Sequence, residues 1–215
     1  MIDNYRHKGL RRQLVEAIRS KGFNDQKVLD AIGKIPRHQF LDSSFTEYAY
    51  QDKPFPIGSG QTISQPYTVA FMTGLLDVKQ GDKVLEVGTG SGYQACVLLE
   101  LGARVYSIER QKKLFQKTKT LLNKMGYDPM LFYGDGYKGL PSYSPFDSII
   151  ITAGAPEVPK DLLKQLKIGG KMVVPVGVDN QIMHRIIRTA EDDFVKEKHG
   201  HFRFVPMLKD KAKDM

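Results

Sequence analysis

The densest chemistry in the chain lies in Lys83-Val84-Leu85-Glu86-Val87-Gly88-Thr89-Gly90-Ser91-Gly92-Tyr93. Val84, Leu85 and Val87 read as a short buried strand, and a glycine-dense turn follows at once. Strand, turn and helix N-terminus together make a cradle for a nucleotide-bearing ligand. Glycines let the backbone approach, and free helix N–H groups supply donors. A plain tight turn would use the same residues. A second acid narrows the reading: the run Arg104-Val105-Tyr106-Ser107-Ile108 ends at Glu109. That is about 20 residues past Gly88, where a doubly wound fold holds the carboxylate that accepts from ribose hydroxyls. A third candidate is Ser64, just outside a helix whose first position fits Pro66. A helix N-terminus there favours an anion.

Glycine spacing separates the possible cofactors. A dinucleotide fingerprint requires G-x-G-x-x-G, but Tyr93 stands where the third glycine belongs. Gly88-x-Gly90-x-Gly92 after an acidic strand residue is similar to the first motif of S-adenosylmethionine-dependent methyltransferases.

These residues need a scaffold. From Gly81 onward strands and helices alternate: strands over about 83–87 and 104–109, a helix over about 111–125, then strands at Met130–Tyr133 and 146–152. The last of these is apolar enough to be buried on both faces. After Ala153-Gly154-Ala155-Pro156 comes a helix holding Leu162, Leu163 and Leu166. Gly169-Gly170 then turns into Lys171–Val176. Gln181–Thr189 and Phe202–Val205 read as an antiparallel edge. The fold class is α/β: a doubly wound, mostly parallel sheet with an N-terminal helical region.

Before Gly81 the pattern is different. Leu10, Leu14, Val15 and Ile18 recur at helical spacing, Gly22 closes that helix, and Asn24 or Asp25 caps the next. Ser44-x-x-Glu47 fits a capping box. Gln51 to Gln65 reads as a long loop, and such loops are usually functional or disordered. The expected organisation is residues 1–80 as a helical region with a long loop, which the family resemblance given below makes a substrate loop, 81–208 as the cofactor-binding domain, and 209–215 as a basic tail.

Composition bounds the class. The chain has 215 residues, 41% of them hydrophobic, which supplies a sizeable core. No apolar run approaches the roughly 20 residues that cross a bilayer, and the N-terminus lacks a signal-peptide core. A cytoplasmic protein is expected, and the single cysteine, Cys96, allows no disulfide framework. Gln94-Ala95-Cys96 matches the start of a caspase nucleophile motif, but Val97 and Leu98 break it, which leaves Cys96 a small core residue. The net charge of +8 permits a nucleic-acid partner. Without aromatic interleaving or an RNA-binding motif, though, the lysines of 112–119 and 209–213 read as solvated faces. No heptad demands a second subunit, so a monomer is expected. His199-x-His201 lacks a third ligand at metal spacing, and no metal is expected.

Along most of its length the sequence resembles the protein-L-isoaspartate (D-aspartate) O-methyltransferases. The most specific piece is Gln61-Thr62-Ile63-Ser64-Gln65-Pro66, similar to that family's substrate-loop motif. Leu85 to Gln94, Gly134-Asp135-Gly136, Phe146-Asp147-Ser148-Ile149 and Arg203-Phe204-Val205-Pro206 add to it. Met207 is a small departure, where leucine usually follows Val-Pro. The resemblance implies methyl transfer from S-adenosylmethionine to the free α-carboxylate of L-isoaspartyl residues, and less efficiently to D-aspartyl side chains. The ester then cyclises to a succinimide that can reopen as normal aspartate. It further implies that Ser64, with Thr62 and Ile63, holds the substrate carboxylate. Glu109 would bind the ribose, Asp135 and Gly136 the adenine, and Glu86 the methionine ammonium. Val205 and Pro206 would offer backbone groups to the substrate peptide.

Two other functions are weighed. An amino-methylating nucleic-acid enzyme would carry Asn-Pro-Pro-Tyr or Asp-Pro-Pro-Tyr after the fourth strand, where this chain has Thr152-Ala153-Gly154-Ala155-Pro156. A cofactor-binding regulator without turnover would not need the intact Ser64 segment.

Overall fold

The computed structural model describes residues 3–212, so the start of the chain and residues 213–215 of the expected basic tail lie outside it. Helices α1 (Tyr5–Ser20) and α2 (Gln26–Lys34) open the chain. Gly22 closes the first with φ +89°, and Asp25 caps the second by accepting from Lys27 and Val28 N–H. Pro36 ends α2, and two 3-10 turns follow, Arg37–Phe40 and Ser43–Tyr48. The second has no side-chain cap, so the expected Ser44–Glu47 capping box does not form; Thr46 Oγ1 instead donates to Ser43 O.

The expected long loop is a β-hairpin. Strands β1 (Phe55–Gly58) and β2 (Gln61–Ile63) pair antiparallel through Ser59-Gly60, both at positive φ, a geometry whose twist suits a two-residue hairpin turn. Helix α3 (Pro66–Leu76) follows, with Pro66 at its first position as expected.

The remaining elements are β3 (Lys83–Val87), α4 (Tyr93–Glu100), β4 (Arg104–Glu109), α5 (Lys112–Met125), β5 (Met130–Tyr133), β6 (Phe146–Ile151), α6 (Lys160–Leu163), β7 (Leu166–Val176), β8 (Gln181–Arg188) and β9 (Phe194–Phe202). The sheet order is β5-β4-β3-β6-β7-β8-β9, parallel through β7 and antiparallel across the last two pairs. The expected doubly wound sheet is therefore present. The chain winds outward from β3 on one side and then restarts at β6 on the other. In such sheets that reversal, at the strands' C-terminal ends, is where ligands bind.

Two boundaries differ from expectation. Leu166 begins β7 opposite Phe146 rather than ending a helix, and α6 is a single turn. Gly169-Gly170 sits inside β7 at a register shift, where a Cβ on Gly170 would lie 2.8 Å from Lys167 O and 2.9 Å from Asp147 O. The final strand is Phe194–Phe202, not Phe202–Val205. Its Lys196-Glu197-Lys198 run looks unlike a strand in sequence but suits an edge, because charges there discourage further pairing.

Packing follows the pleat. On β6, Ile149 and Ile151 join one buried cluster while Ile150 joins another, so the strand is covered on both faces. Fully burying each of these isoleucines contributes about 1.5–3 kcal/mol. Cys96 is a buried core residue on α4, as expected, and burial pushes its thiol pKa up.

Candidate functional site

A cleft opens at the C-terminal ends of β3, β4 and β6. Its walls bring together the glycine turn, the end of β4, the hairpin segment 61–64 and the segment 205–208. Glu86, Gly88, Gly90, Glu109, Gly136, Thr62, Ile63, Ser64, Val205 and Pro206 all line it. Two expected residues do not. Gly92 lies behind the turn, where its φ of +86° starts α4 and a Cβ would meet Thr118 Cγ2 at 2.8 Å. Asp135 lines a neighbouring cleft with Tyr133 and Lys138, and its Oδ1 accepts from Tyr137 N–H at 2.9 Å.

The glycine turn is strapped from three sides. Thr152 Oγ1 donates to Gly88 O at 2.7 Å, Thr118 Oγ1 donates to Gly90 O at 2.6 Å, and Gly90 N–H donates to Glu109 Oε2 at 2.9 Å. A Cβ on Gly88 would come within 2.6 Å of Thr152 Oγ1, so the close approach that glycine permits is used here. The other Glu109 oxygen accepts from Gln111 N–H at 2.7 Å. Each oxygen keeps a lone pair for a further donor. Burial raises the pKa of this carboxyl, while the Gln111 and Gly90 N–H groups act against the rise.

Glu86 is fully buried on β3 beside Ser107 of β4, its register partner. Ser107 Oγ donates to Glu86 Oε2 at 2.5 Å and also meets Thr89 Oγ1 at 2.6 Å, whereas Glu86 Oε1 is buried with no partner. Burial pushes the Glu86 pKa up to about 8; the Ser107 hydrogen bond lowers it and nearby Glu109 raises it. A buried orphan polar atom is costly, so this wall can take up a hydrogen-bonding group or, once Glu86 ionises, a cation. A carboxyl whose folded pKa lies above its unfolded value stabilises the fold below about pH 4.5 and loses that contribution as pH rises to about 8. Glu86→Gln should therefore reduce the fall in ligand-free Tm between pH 5 and pH 8 by at least several degrees. Parallel wild-type and variant curves would contradict the ionisation assigned to Glu86.

On the opposite wall, Ser64 is half-buried and lines both the cleft and an adjoining groove over Tyr67, Phe71 and Phe202–Phe204. The N-terminus of α3 behind it is already met by Asp52, whose Oδ1 accepts from Tyr67 N–H at 2.7 Å and whose Oδ2 pairs with Lys21. Val205 and Pro206 line the cleft, but Val205 O accepts from Gly154 N–H at 2.8 Å. Sequence reasoning missed Asp52, Ser107, Thr152 and Arg37. Only Ser107, a polar residue inside an apolar strand, carried a local signal.

Asp3, His7 and His38 bring possible metal-ligand atoms within 4.8 Å of one another. Both Asp3 oxygens, however, accept from Arg11, and the two imidazoles stack with centroids 3.8 Å apart. His7 Nδ1 also accepts from Asn4 N–H, and His38 Nδ1 meets Tyr50 Oη at 2.7 Å.

Residues 9–212 match the profile of the family described as Protein-L-isoaspartate(D-aspartate) O-methyltransferase (PCMT). A protein-L-isoaspartate O-methyltransferase of Christiangramia forsetii is 63% identical over 212 residues, covering 98% of this chain and all of the relative. One from Salinibacter ruber is 47% identical, covering 95% of this chain and 93% of its own. A solved protein-L-isoaspartate O-methyltransferase superposes with a TM-score of 0.83 at 30% identity, over 91% of this chain and 65% of that one. A Plasmodium falciparum structure in complex with S-adenosyl-L-homocysteine gives 0.81 at 24% identity, over 93% and 98%, and supports the fold. With its doubly wound sheet, its strapped glycine turn and a match over almost its whole length, the chain belongs to the protein-L-isoaspartate (D-aspartate) O-methyltransferase family.

Proposed function

We propose that the cleft is where this S-adenosylmethionine-dependent enzyme methylates the free α-carboxylate of L-isoaspartyl residues, with Ser64 facing the substrate and Glu86 and Glu109 facing the cofactor. The observation that carries this reading is the buried, unpartnered Glu86 Oε1 in one wall of a cleft that has Ser64 in the other. The walls fit the cofactor. Glu86 has an acceptor to spare for an ammonium, Glu109 has lone pairs for a ribose diol, and the Gly88 and Gly90 backbone is bare enough for close approach. At Gly136 a Cβ would lie 2.5 Å from Val87 Cγ1, so only glycine lets this part of the wall pack against β3. Asp135 reaches the adenine in this reading from the neighbouring cleft, and Gly92 acts by starting α4 rather than by contact.

When bound, S-adenosylmethionine supplies a methyl group on a sulfonium sulfur. The chain's residues do the rest by holding and drying. A carboxylate of pKa about 3.5–4 is ionised at neutral pH, so the site needs no general base. Ser64 donates one hydrogen bond to it and fixes its orientation, with Thr62 and Ile63 shaping the wall. The hairpin excludes water, which favours a reaction in which opposite charges cancel. Residues 1–80 thus supply the substrate side, 81–208 the cofactor side, and 209–215 a basic tail. Val205, where the cleft meets the groove, and Pro206, within the cleft, border the peptide in this reading. The same reading makes the chain a cytoplasmic monomer acting on polypeptides, not nucleic acid, by a displacement that needs no metal. Among the described residues no helix is long and apolar enough to cross a membrane.

The test is methyl-labelled S-adenosylmethionine with two peptides that differ only in an isoaspartyl or a normal aspartyl linkage. Labelling of the isoaspartyl peptide alone is expected. Equal labelling of both, or of neither, would remove the proposal.

A further inference from the structure

Arg37 is fully buried, yet among the described residues no carboxylate lies within ion-pair distance of it. Its Nε donates to Ala49 O at 3.1 Å, and one terminal nitrogen donates to Ser64 O at 2.9 Å and Lys53 O at 3.4 Å, while the Tyr93 hydroxyl and the Asp52 charge favour the cation against its burial. The other terminal nitrogen is buried without a partner. Lys53 precedes the hairpin and Ser64 follows it, so this one nitrogen bridges the hairpin's base while Nε of the same planar group holds Ala49. The guanidinium also lies 4.8 Å from the ring centroid of Tyr93, the first residue of the helix after the glycine turn. One side chain thereby joins the backbone of Ser64 to the start of the cofactor cradle.

Burying a cation in this way is expensive, and a hydrophobic residue of similar size would fill the volume at lower cost. A lysine would offer a point charge instead of a fixed fork and could not span the same carbonyls while stacking. The helix end behind Ser64 cannot set the serine's position alone, because Asp52 already engages it.

We propose that Arg37 is the positioning residue for Ser64, fixing its main chain at a set distance from the cofactor cradle. The proposal rests on the role given to Ser64 above. Arg37 itself touches neither substrate nor cofactor; it acts through the serine.

A double-mutant cycle tests it, using Arg37→Lys, Ser64→Ala and the pair, with rates expressed per site that binds S-adenosylhomocysteine by calorimetry. That normalisation keeps the result readable if a variant folds incompletely, and Arg37→Gln serves as the second variant. Arg37→Lys should lower kcat about tenfold while the dissociation constant for S-adenosylhomocysteine stays within about twofold. In the Ser64→Ala background the same change should cost less than about threefold further, because two residues acting as one unit are not additive. A full tenfold loss in that background would overturn the proposal and leave Ser64's own role intact, as would an unchanged kcat in Arg37→Lys. An unchanged rate in Ser64→Ala alone would instead sink the reading of Ser64 on which the proposal rests.

Discussion

Glu109→Ala should weaken cofactor binding by roughly 150- to 1000-fold, the largest single effect expected in this enzyme. The carboxylate has two duties. In the proposed reading it offers acceptors to the ribose diol, and it already accepts from Gly90 and Gln111 N–H. Hydrogen bonds to a charged group contribute about 1.5–3 kcal/mol each, and losing two coupled ones gives about 3–4 kcal/mol. Truncation also leaves the Gly90 N–H without its partner, which loosens the turn. Titration calorimetry with S-adenosylhomocysteine reads the change directly. Glu109→Gln separates the two duties, since its amide oxygen can still accept from Gly90; a loss of about tenfold is expected. Wild-type affinity in the alanine variant would refute the ribose assignment.

Ser64→Ala should act on a different parameter. In the proposed reading the hydroxyl gives one hydrogen bond to an anionic substrate, so its removal should cost about 1.5–3 kcal/mol, or about 10- to 150-fold in turnover. The cradle on the other wall is untouched, and affinity for S-adenosylhomocysteine should stay at the wild-type value. Steady-state kinetics with an isoaspartyl peptide, set beside calorimetry, separates these outcomes. An unchanged kcat would reduce Ser64 to a residue at the start of α3. A parallel loss of cofactor binding would show that the substitution had disturbed the whole cleft.

The parts of the site that were legible in the sequence are local ones. The glycines, Glu86 and Glu109 sit at a strand–turn–helix junction and at a strand end, where a few consecutive residues decide the backbone. The central sheet was equally readable, because Ile149, Ile150 and Ile151 have no use except burial on both faces. The hairpin was not. Its strands are four and three residues long, too short for alternation to register, and its turn depends on Ser59 adopting φ +52°. The helix holding Leu162 and Leu163 is present but stops short of Leu166, for the opposite reason. Its spacing fits a helix, but pairing of Leu166 with Phe146 outweighs it.

What the sequence concealed is mostly what holds the site in place. Asp52 reaches the start of α3 across 15 residues of chain, and Thr152 reaches Gly88 across 64. Arg37 reaches Ser64 across 27. Each is an ordinary polar residue in its own neighbourhood, and its role exists only once tertiary contacts form. In sequence, Ile35-Pro36-Arg37 reads only as the end of a helix, and nothing local says that the arginine turns inward.

The proposed activity depends on one spatial relation, a serine and a cofactor cradle facing each other across a single cleft. The most direct measurement is a crystal structure with S-adenosylhomocysteine and an isoaspartyl peptide bound together. The expected result places Ser64 Oγ within about 3.2 Å of the free carboxylate, with that carboxylate directed at the cofactor's sulfur and Glu109 on the ribose. A carboxylate held by other groups, with Ser64 Oγ beyond any hydrogen-bond distance from it, would contradict the account.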